Sequence, residues 1–182
     1  MGRNDFFLDS GIIYGYVDLC DKTWHKPCED HFKKYPRKDH NYCSVRRIVD
    51  KEIDTVSKRR KETGYITYKM VGAIKRRENA LFYSKEINDV DYINIRKELY
   101  SKLYKIIFEF LMKQRADRNQ KDRDAHLLTN AFLWEMENKG LRNPHFVTID
   151  YRDIKKNEND LISEAMVCLG TAPCLCFCLV SK

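Results

Sequence analysis

The sequence predicts an α/β fold in which a mainly parallel sheet is covered by helices on both faces. Short apolar segments that suit strands alternate with longer segments of helical periodicity, which is the order expected of such a sheet. Most of these apolar segments lack a polar face, as is typical of strands buried on both sides. Only seven glycines and four prolines interrupt the 182 residues. We therefore expect a single domain over 1–182.

Before residue 64 the sequence predicts two strands and three helices. The segment DFFLDSG indicates a buried strand that ends at Asp9, and GIIYGYVDL suits a short helix. A second helix is predicted in KPCEDHFKKY, with Pro27 near its start, and a second strand in NYCSV. The third helix, RRIVDKEIDTVSKRRK, has aliphatic residues at helical spacing, with Glu52 on the same side.

The middle of the chain predicts an enlarged helical segment at about 60–118. Within it, YITYKMVGAI fits either a strand or a helix, and an amphipathic helix is predicted over about 92–114. The residues that share the apolar face of that helix are Leu99, Leu103, Ile106 and Phe110.

The last third predicts two further strands separated by helices. QRADRNQKDRD is read as a charged loop, with Asp124 as the N-cap of the helix AHLLTNAFLWEME, which Gly140 follows. HFVTID is a strand, DLISEAMVCLG a short helix and APCLCFCLV a final strand. The thiols of Cys174, Cys176 and Cys178 share one face of that strand, where they are either small buried hydrophobes or zinc ligands.

Charge and cysteine content indicate the class of protein. Residues 33–77 hold fifteen Lys and Arg against five Asp and Glu, whereas the whole chain has a net charge of +7. This asymmetry favours a polyanionic partner such as nucleic acid, or else a solvated, salt-bridged helix face. No apolar run approaches the roughly 20 residues of a membrane span. The seven cysteines, an odd number, predict free thiols in the cytoplasm.

Several carboxylates lie where a parallel sheet places its ligands. Asp9 and Asp150 each follow a predicted strand, and ligands bind at the carboxyl ends of such strands. Glu52 is on the apolar side of its helix, Asp124 opens another helix, and Asp153 follows Asp150 by one turn. Clustered carboxylates repel one another unless a cation lies between them, and Mg²⁺ or Mn²⁺ prefers oxygen ligands.

Each of these acids also has a structural explanation. Asp9 and Asp124 can cap helices, and Asp150 and Asp153 can be turn residues. The carboxylate of Glu52 can pair with Arg59 or Lys51 on the helix surface. Asp50 and Asp122 are rival choices for Glu52 and Asp124.

The chain resembles the PIN domain family of metal-dependent ribonucleases in FFLDSGIIYGYVD, VDKEIDTV, DAHLLTNAFLWE and HFVTIDYRDI. The resemblance covers about 6–56 and 122–180, with Gly11 where asparagine is common. It implies an α/β/α sandwich with about four to five strands. It also implies Mg²⁺- or Mn²⁺-dependent endonucleolytic cleavage of RNA. The implied metal ligands are Asp9, Glu52, Asp124, Asp150 and Asp153.

The resemblance also implies supporting residues and partners. Ser10 and Thr148 would support the metal ligands. Many small prokaryotic members are toxins restrained by an antitoxin protein, so an antitoxin and a homodimer are further partners to consider. The basic segments add six arginines that could contact RNA: Arg46, Arg47, Arg59, Arg60, Arg76 and Arg77. In the same region Tyr65, Tyr68 and Phe82 can stack on unpaired bases or pack in the core.

Two other functions are compatible with the same residues. The first is a catalytically silent module that binds RNA or a protein. The second is an aspartyl phosphotransferase or phosphatase with Asp9 as the nucleophile. That chemistry usually requires a second aspartate two residues later, where this chain has Gly11.

Overall fold

The computed structural model describes residues 3–113 and 118–181, which form one five-stranded, all-parallel sheet with helices on both faces. The strands are β1 (Asp5–Leu8), β2 (Asn41–Ser44), β3 (Asn88–Asp89), β4 (Pro144–Thr148) and β5 (Cys176–Leu179). The α-helices of these residues are α1 (Ser10–Val17), α2 (His25–Lys34), α3 (Arg46–Glu62), α4 (Tyr68–Tyr83), α5 (Lys97–Met112), α6 (Arg118–Glu137) and α7 (Glu158–Leu169). The predicted α/β class, a three-layer sandwich around a parallel sheet, is confirmed.

The strand order β3-β2-β1-β4-β5 places β1 at the centre of the sheet. Phe7 of β1 is aligned with Cys43 of β2 on one side and with Phe146 of β4 on the other. From β1 the chain builds outward through β2 and β3, and it then returns to add β4 and β5 on the opposite side. The order of the sheet therefore reverses between β1 and β4, and such a reversal opens a crevice at the carboxyl ends of the two strands.

Alternation along the strands separates two hydrophobic cores. Phe6 and Leu8 point into a core that receives side chains from α1 to α4, whereas Phe7 and Phe146 point into a core formed with α5, α6 and α7. All four of these side chains are fully or almost fully buried. Because successive strand side chains point to opposite faces, an apolar run such as FFL can serve both cores.

The middle of the chain differs from the prediction in detail. The ambiguous segment after residue 64 contributes helix α4, and the two-residue strand β3 was not predicted. Helix α5 begins at Lys97, later than predicted. Its fully buried residues are Tyr100, Leu103, Ile107 and Leu111, so Leu103 is buried as predicted, whereas Leu99 and Phe110 are half-buried at the edge of the same core. Aromatic and aliphatic residues occupy both faces of this segment, so spacing alone left its orientation ambiguous.

Helix α6 begins at Arg118 and thus well before Asp124. The prediction that Asp124 is an N-cap is therefore wrong, because that residue lies inside the helix. The first part of the predicted charged loop, residues 114–117, falls outside the described residues.

The cysteines are all free, as predicted. Cys174 and Cys176 are exposed, so the prediction that they are buried hydrophobes is wrong for these two. Cys174 precedes β5, and Cys176 is the first residue of that strand, at the edge of the sheet. Across residues 3–113 and 118–181, no helix has the length and apolar character needed to cross a membrane.

Gly15 controls how closely α1 approaches α2. A methyl group at this position would lie 2.8 Å from Cys28 Sγ and 3.1 Å from Trp24 Cβ. Cys28 is completely buried, so its sulfur has little room to move.

We expect Gly15→Ala to lower the free energy of unfolding by about 1–3 kcal/mol, because overpacking outweighs the gain in helix propensity. Gly72→Ala on α4 is the matched control, since its methyl group would meet only Arg76 Nη1 at 3.4 Å. The control should be neutral or stabilise by up to about 1 kcal/mol. Urea denaturation compares the two, and equal stabilities would contradict the packing argument.

Candidate functional site

A cavity of about 580 Å³, here called the acidic cavity, opens at the carboxyl ends of β1 and β4. Four carboxylates line it: Asp9, Glu52, Asp124 and Asp150. They come from four separate elements, namely the end of β1, helix α3, helix α6 and the end of β4. The structure thus brings together four of the five predicted metal ligands.

Asp9 is held in place by three hydrogen bonds. Thr148 Oγ1 donates to its Oδ2 at 2.6 Å, and Gly11 N and Ser10 Oγ donate to its Oδ1 at 3.3 and 3.4 Å. Thr148 Oγ1 also accepts a bond from Asp150 N at 2.9 Å, which ties the ends of the two central strands together. Ser10 and Thr148 therefore contact Asp9 directly. Asp9 also caps α1, so its structural and site roles coexist.

Gly11 fits its surroundings better than the asparagine that is common at the corresponding position of PIN domains would. A Cβ atom there would lie 3.0 Å from Ile149 Cδ1 and 3.1 Å from its Cγ1. A larger residue at position 11 would therefore require Ile149 to move. The absence of a side chain lets the first turn of α1 approach the segment that carries Asp150.

Asp124 is the least satisfied acid of the cavity. It is only 8 % exposed, and within the described residues its Oδ2 has no hydrogen-bond partner. The ammonium of Lys121 lies 3.9 Å from that oxygen, beyond hydrogen-bonding distance. A buried carboxylate oxygen without a donor is costly and calls for an explanation, such as a bound ion.

Burial and mutual repulsion raise the pKa values of two of these acids. The pKa of Asp9 is raised to about 6, mainly by desolvation and to a lesser extent by the charges of Asp150 and Glu52, while the hydrogen bonds from Thr148 and Gly11 oppose the shift. Desolvation, followed by the charge of Asp9, raises the pKa of Asp124 well above its usual value despite the opposing charge of Lys121. Carboxylates with such shifts in a cleft are candidates for function.

Glu52 has a different partner from those considered on its helix surface. Its Oε2 lies 2.5 Å from Nε of Arg123, and both side chains are largely buried. Arg123 also lines the cavity. Arg123 was not predicted, because it lies in the charged run KDRD, where no pattern separates it from its neighbours.

Asp153 does not line the acidic cavity. Its carboxylate forms a buried ion pair with Lys121, whose side chain is fully buried. The backbone N–H of Asp153 donates to Asp150 Oδ1 at 2.9 Å, so the turn after β4 carries Asp150 into the cavity and Asp153 toward α6.

The rival acids lie elsewhere. Asp122 accepts a hydrogen bond from Tyr104 Oη at 2.5 Å, and Asp50 interacts with Glu78. Neither of them lines the acidic cavity.

The arginines divide into those at the cavity and those held elsewhere. Arg59 and Arg152 are both exposed and line the cavity, and Arg152 was not predicted. The other five predicted arginines do not line it: Arg46, Arg47, Arg60, Arg76 and Arg77. Arg46 is bonded to Asn79 and Arg47 to Asp91, so folding contacts account for both.

The donor set of the cavity suits a hard divalent cation, because all four acids offer oxygen. A positive charge would stabilise both the unpartnered Oδ2 of Asp124 and the desolvated carboxylate of Asp9. However, no three His, Cys, Asp or Glu side chains in the described part of the chain already form a group that could hold a metal ion. Binding would therefore require side chains to rearrange, with the Glu52–Arg123 pair as an evident competitor.

Comparisons of this chain with models of protein families, with curated proteins and with solved structures find no match.

We expect Asp124→Asn to be more stable than the wild type at pH 8 in metal-free buffer, because the substitution removes a buried charge. The folded-state pKa of Asp124 lies above the ordinary value of 3.8, so ionisation costs stability as the pH rises above about 4. Near pH 4 and below, the two proteins should converge. Urea midpoints across this range measure the effect, with exposed Asp39→Asn as the control. A variant less stable than the wild type at pH 8 would contradict the assignment.

Asp153→Asn should have the opposite effect and lower the free energy of unfolding by about 3 kcal/mol or more, because it leaves the buried Lys121 without its counter-ion. Asp150→Asn should cost less than about 1 kcal/mol, because asparagine keeps the acceptor for the backbone of Asp153. Thermal denaturation measures the loss of stability in the two variants. Replacing both partners, as in Lys121→Met with Asp153→Leu, should restore part of the loss, and equal losses in the two single variants would refute the distinction.

Proposed function

We propose that this protein is a Mg²⁺- or Mn²⁺-dependent endoribonuclease that cleaves at the acidic cavity. The observation that carries the proposal is the convergence of Asp9, Glu52, Asp124 and Asp150 on one cavity at the reversal point of the sheet. Burial and repulsion make ionisation of Asp9 and Asp124 unfavourable. A divalent cation would offset that cost, and Asp9, Asp124 and Asp150 would hold it.

The charges around these acids support a phosphodiester as the substrate. The buried acids would hold the cation, while the exposed arginines Arg59 and Arg152 can bind phosphate oxygens on the substrate side. When bound, the cation would supply an activated water and stabilise the charge of the transition state. The chain itself contributes orientation, because Thr148 and the first turn of α1 hold Asp9 in one position.

The choice of RNA over other phosphodiesters comes from the resemblance to PIN domains and from the excess of positive charge over residues 33–77. Contacts from these basic side chains would position the backbone of a nucleic acid without selecting its sequence.

A catalytically silent RNA-binding module is the second candidate. The ion pair between Glu52 and Arg123 favours it, because a guanidinium within the cavity can satisfy an acid that a metal would otherwise use. This candidate predicts salt-dependent affinity for RNA without hydrolysis in Mn²⁺.

We expect the wild-type protein to cleave single-stranded RNA in Mn²⁺ or Mg²⁺. Asp9→Asn and Asp150→Asn should each reduce the rate by more than about a hundredfold, because metal-based stabilisation of the transition state is worth several kcal/mol. Asp122→Asn, outside the cavity, is the matched control and should cleave normally. A fluorogenic oligoribonucleotide measures the rate, and a DNA oligonucleotide and an aryl phosphate test the alternative substrates.

Binding of the metal itself provides a second readout. Saturating Mn²⁺ should raise the melting temperature of the wild type by about 5–10 °C, and Asp124→Asn should lose most of that rise. Binding of RNA without cleavage and without a Mn²⁺ shift would favour the silent module. Hydrolysis of the aryl phosphate but not of RNA would favour the phosphotransferase or phosphatase class.

A further inference from the structure

A second depression, here called the Tyr65 groove, borders the acidic cavity. It has a volume of about 930 Å³, and its lining includes Leu19, Lys22, Arg60 and Tyr65. Val56 and Arg59 of α3 line both the groove and the acidic cavity. The two depressions are therefore adjacent and share a wall, so one extended ligand could occupy both.

The groove presents large apolar side chains to solvent. Tyr65 is 75 % exposed and Leu19 is 54 % exposed, although each has a surface that most folds would bury. The backbone under Tyr65 is well held, because its N–H donates to Arg60 O at 2.8 Å. Gly64, at φ +75°, supplies the left-handed turn that ends α3 and directs the chain there. An exposed ring on a fixed backbone is suited to stacking.

The positive charges around the groove differ in availability. Asp18 and Asp21 hold the guanidinium of Arg60, and Asp18 is almost completely buried. For Arg59, no acidic partner is found in the described part of the chain, and its side chain lies at the boundary between groove and cavity. Arg59 can therefore bind an anion there without breaking an ion pair.

Only one of the three aromatic residues considered for stacking is suitably placed. Phe82 is buried, and Tyr68 carries Lys61 over its ring, with Nζ 4.0 Å from the centroid. Tyr68 does not line the groove, whereas Tyr65 does. The exposed apolar surface and the available guanidinium thus occur together at Tyr65 and Arg59.

We propose that the Tyr65 groove is a nucleobase-binding subsite. It takes the unpaired base of a nucleotide next to the phosphate bound at the acidic cavity, with Tyr65 stacked on the base and Arg59 on the phosphate that links the two positions. In a single strand, each flat base is followed by a charged phosphate. On this surface, the exposed ring of Tyr65 is likewise followed by the guanidinium of Arg59 at the border with the acidic cavity. The assignment of the phosphate position rests on the proposed function, whereas base stacking can be measured without cleavage.

The test uses full-length protein carrying Asp9→Asn, so that bound RNA stays intact. The probe is a short single-stranded oligoribonucleotide with one 2-aminopurine, whose fluorescence falls when the base stacks on an aromatic ring. Tyr65→Ala should abolish the fluorescence change and weaken binding about tenfold, because base stacking contributes about 1–3 kcal/mol. Tyr65→Phe should retain both the change and the affinity.

Tyr83→Ala is the matched control, because Tyr83 is 76 % exposed but lies outside the groove and the cavity. It should bind like the parent. Arg59→Ala should weaken binding and lower its salt dependence by about one phosphate contact, while Arg59→Lys should retain the salt dependence.

The outcomes separate this inference from the proposed function. If the fluorescence change depends on Tyr65 but the wild-type protein cleaves no RNA, the result supports the subsite and refutes the nuclease. Cleavage by the wild type with Tyr65→Ala unchanged in affinity and fluorescence would overturn the subsite alone. Failure of the Asp9→Asn protein to bind the probe would also overturn it.

Discussion

The parallel pairing of β1 with β4 is the constraint on which the candidate site depends. These strands are far apart in sequence, yet their alignment brings Asp9 and Thr148 within hydrogen-bonding distance. The order of the sheet reverses at this pair, so no crossover connection covers the gap between their carboxyl ends. Helices α3 and α6 then supply Glu52 and Asp124 from the two sides.

The fold accepts an electrostatic cost to form this cavity. Folding removes Asp9 and Asp124 from water and places further carboxylates near them, which makes their ionised forms unfavourable. The effect depends on the proximity of these charges in the fold and not on their separation in sequence. Such a cost is typical of functional sites, where stability is lower than the same fold could reach with neutral residues.

Lysine and arginine side chains balance only part of the negative charge of the cavity, and they differ in their partners and exposure. Lys121 is committed mainly to Asp153, and Arg123 to Glu52, so both belong to the folded framework of the site. Arg59 and Arg152 remain exposed at the cavity. This division leaves the interior of the cavity short of positive charge and its exterior able to attract anions.

The sequence was sufficient to predict the α/β class, four of the five strands and the carboxylates that would follow β1 and β4. Those features depend on local signals, namely apolar runs, turn residues and the general rule that parallel strands place ligands at their carboxyl ends. The choice of Glu52 and Asp124 over Asp50 and Asp122 came from the motif resemblance and from a helix start at Asp124 that the structure moves to Arg118, so only the fold places these two acids at the cavity. The start of α6, the buried face of α5 and the exposure of Cys174 and Cys176 were not predictable in this way. They depend on which neighbouring elements cover a segment.

The partners Lys121 and Arg123, and the separation of Asp153 from Asp150, likewise emerged only on folding, because ion pairs between distant segments leave no periodic trace in the sequence.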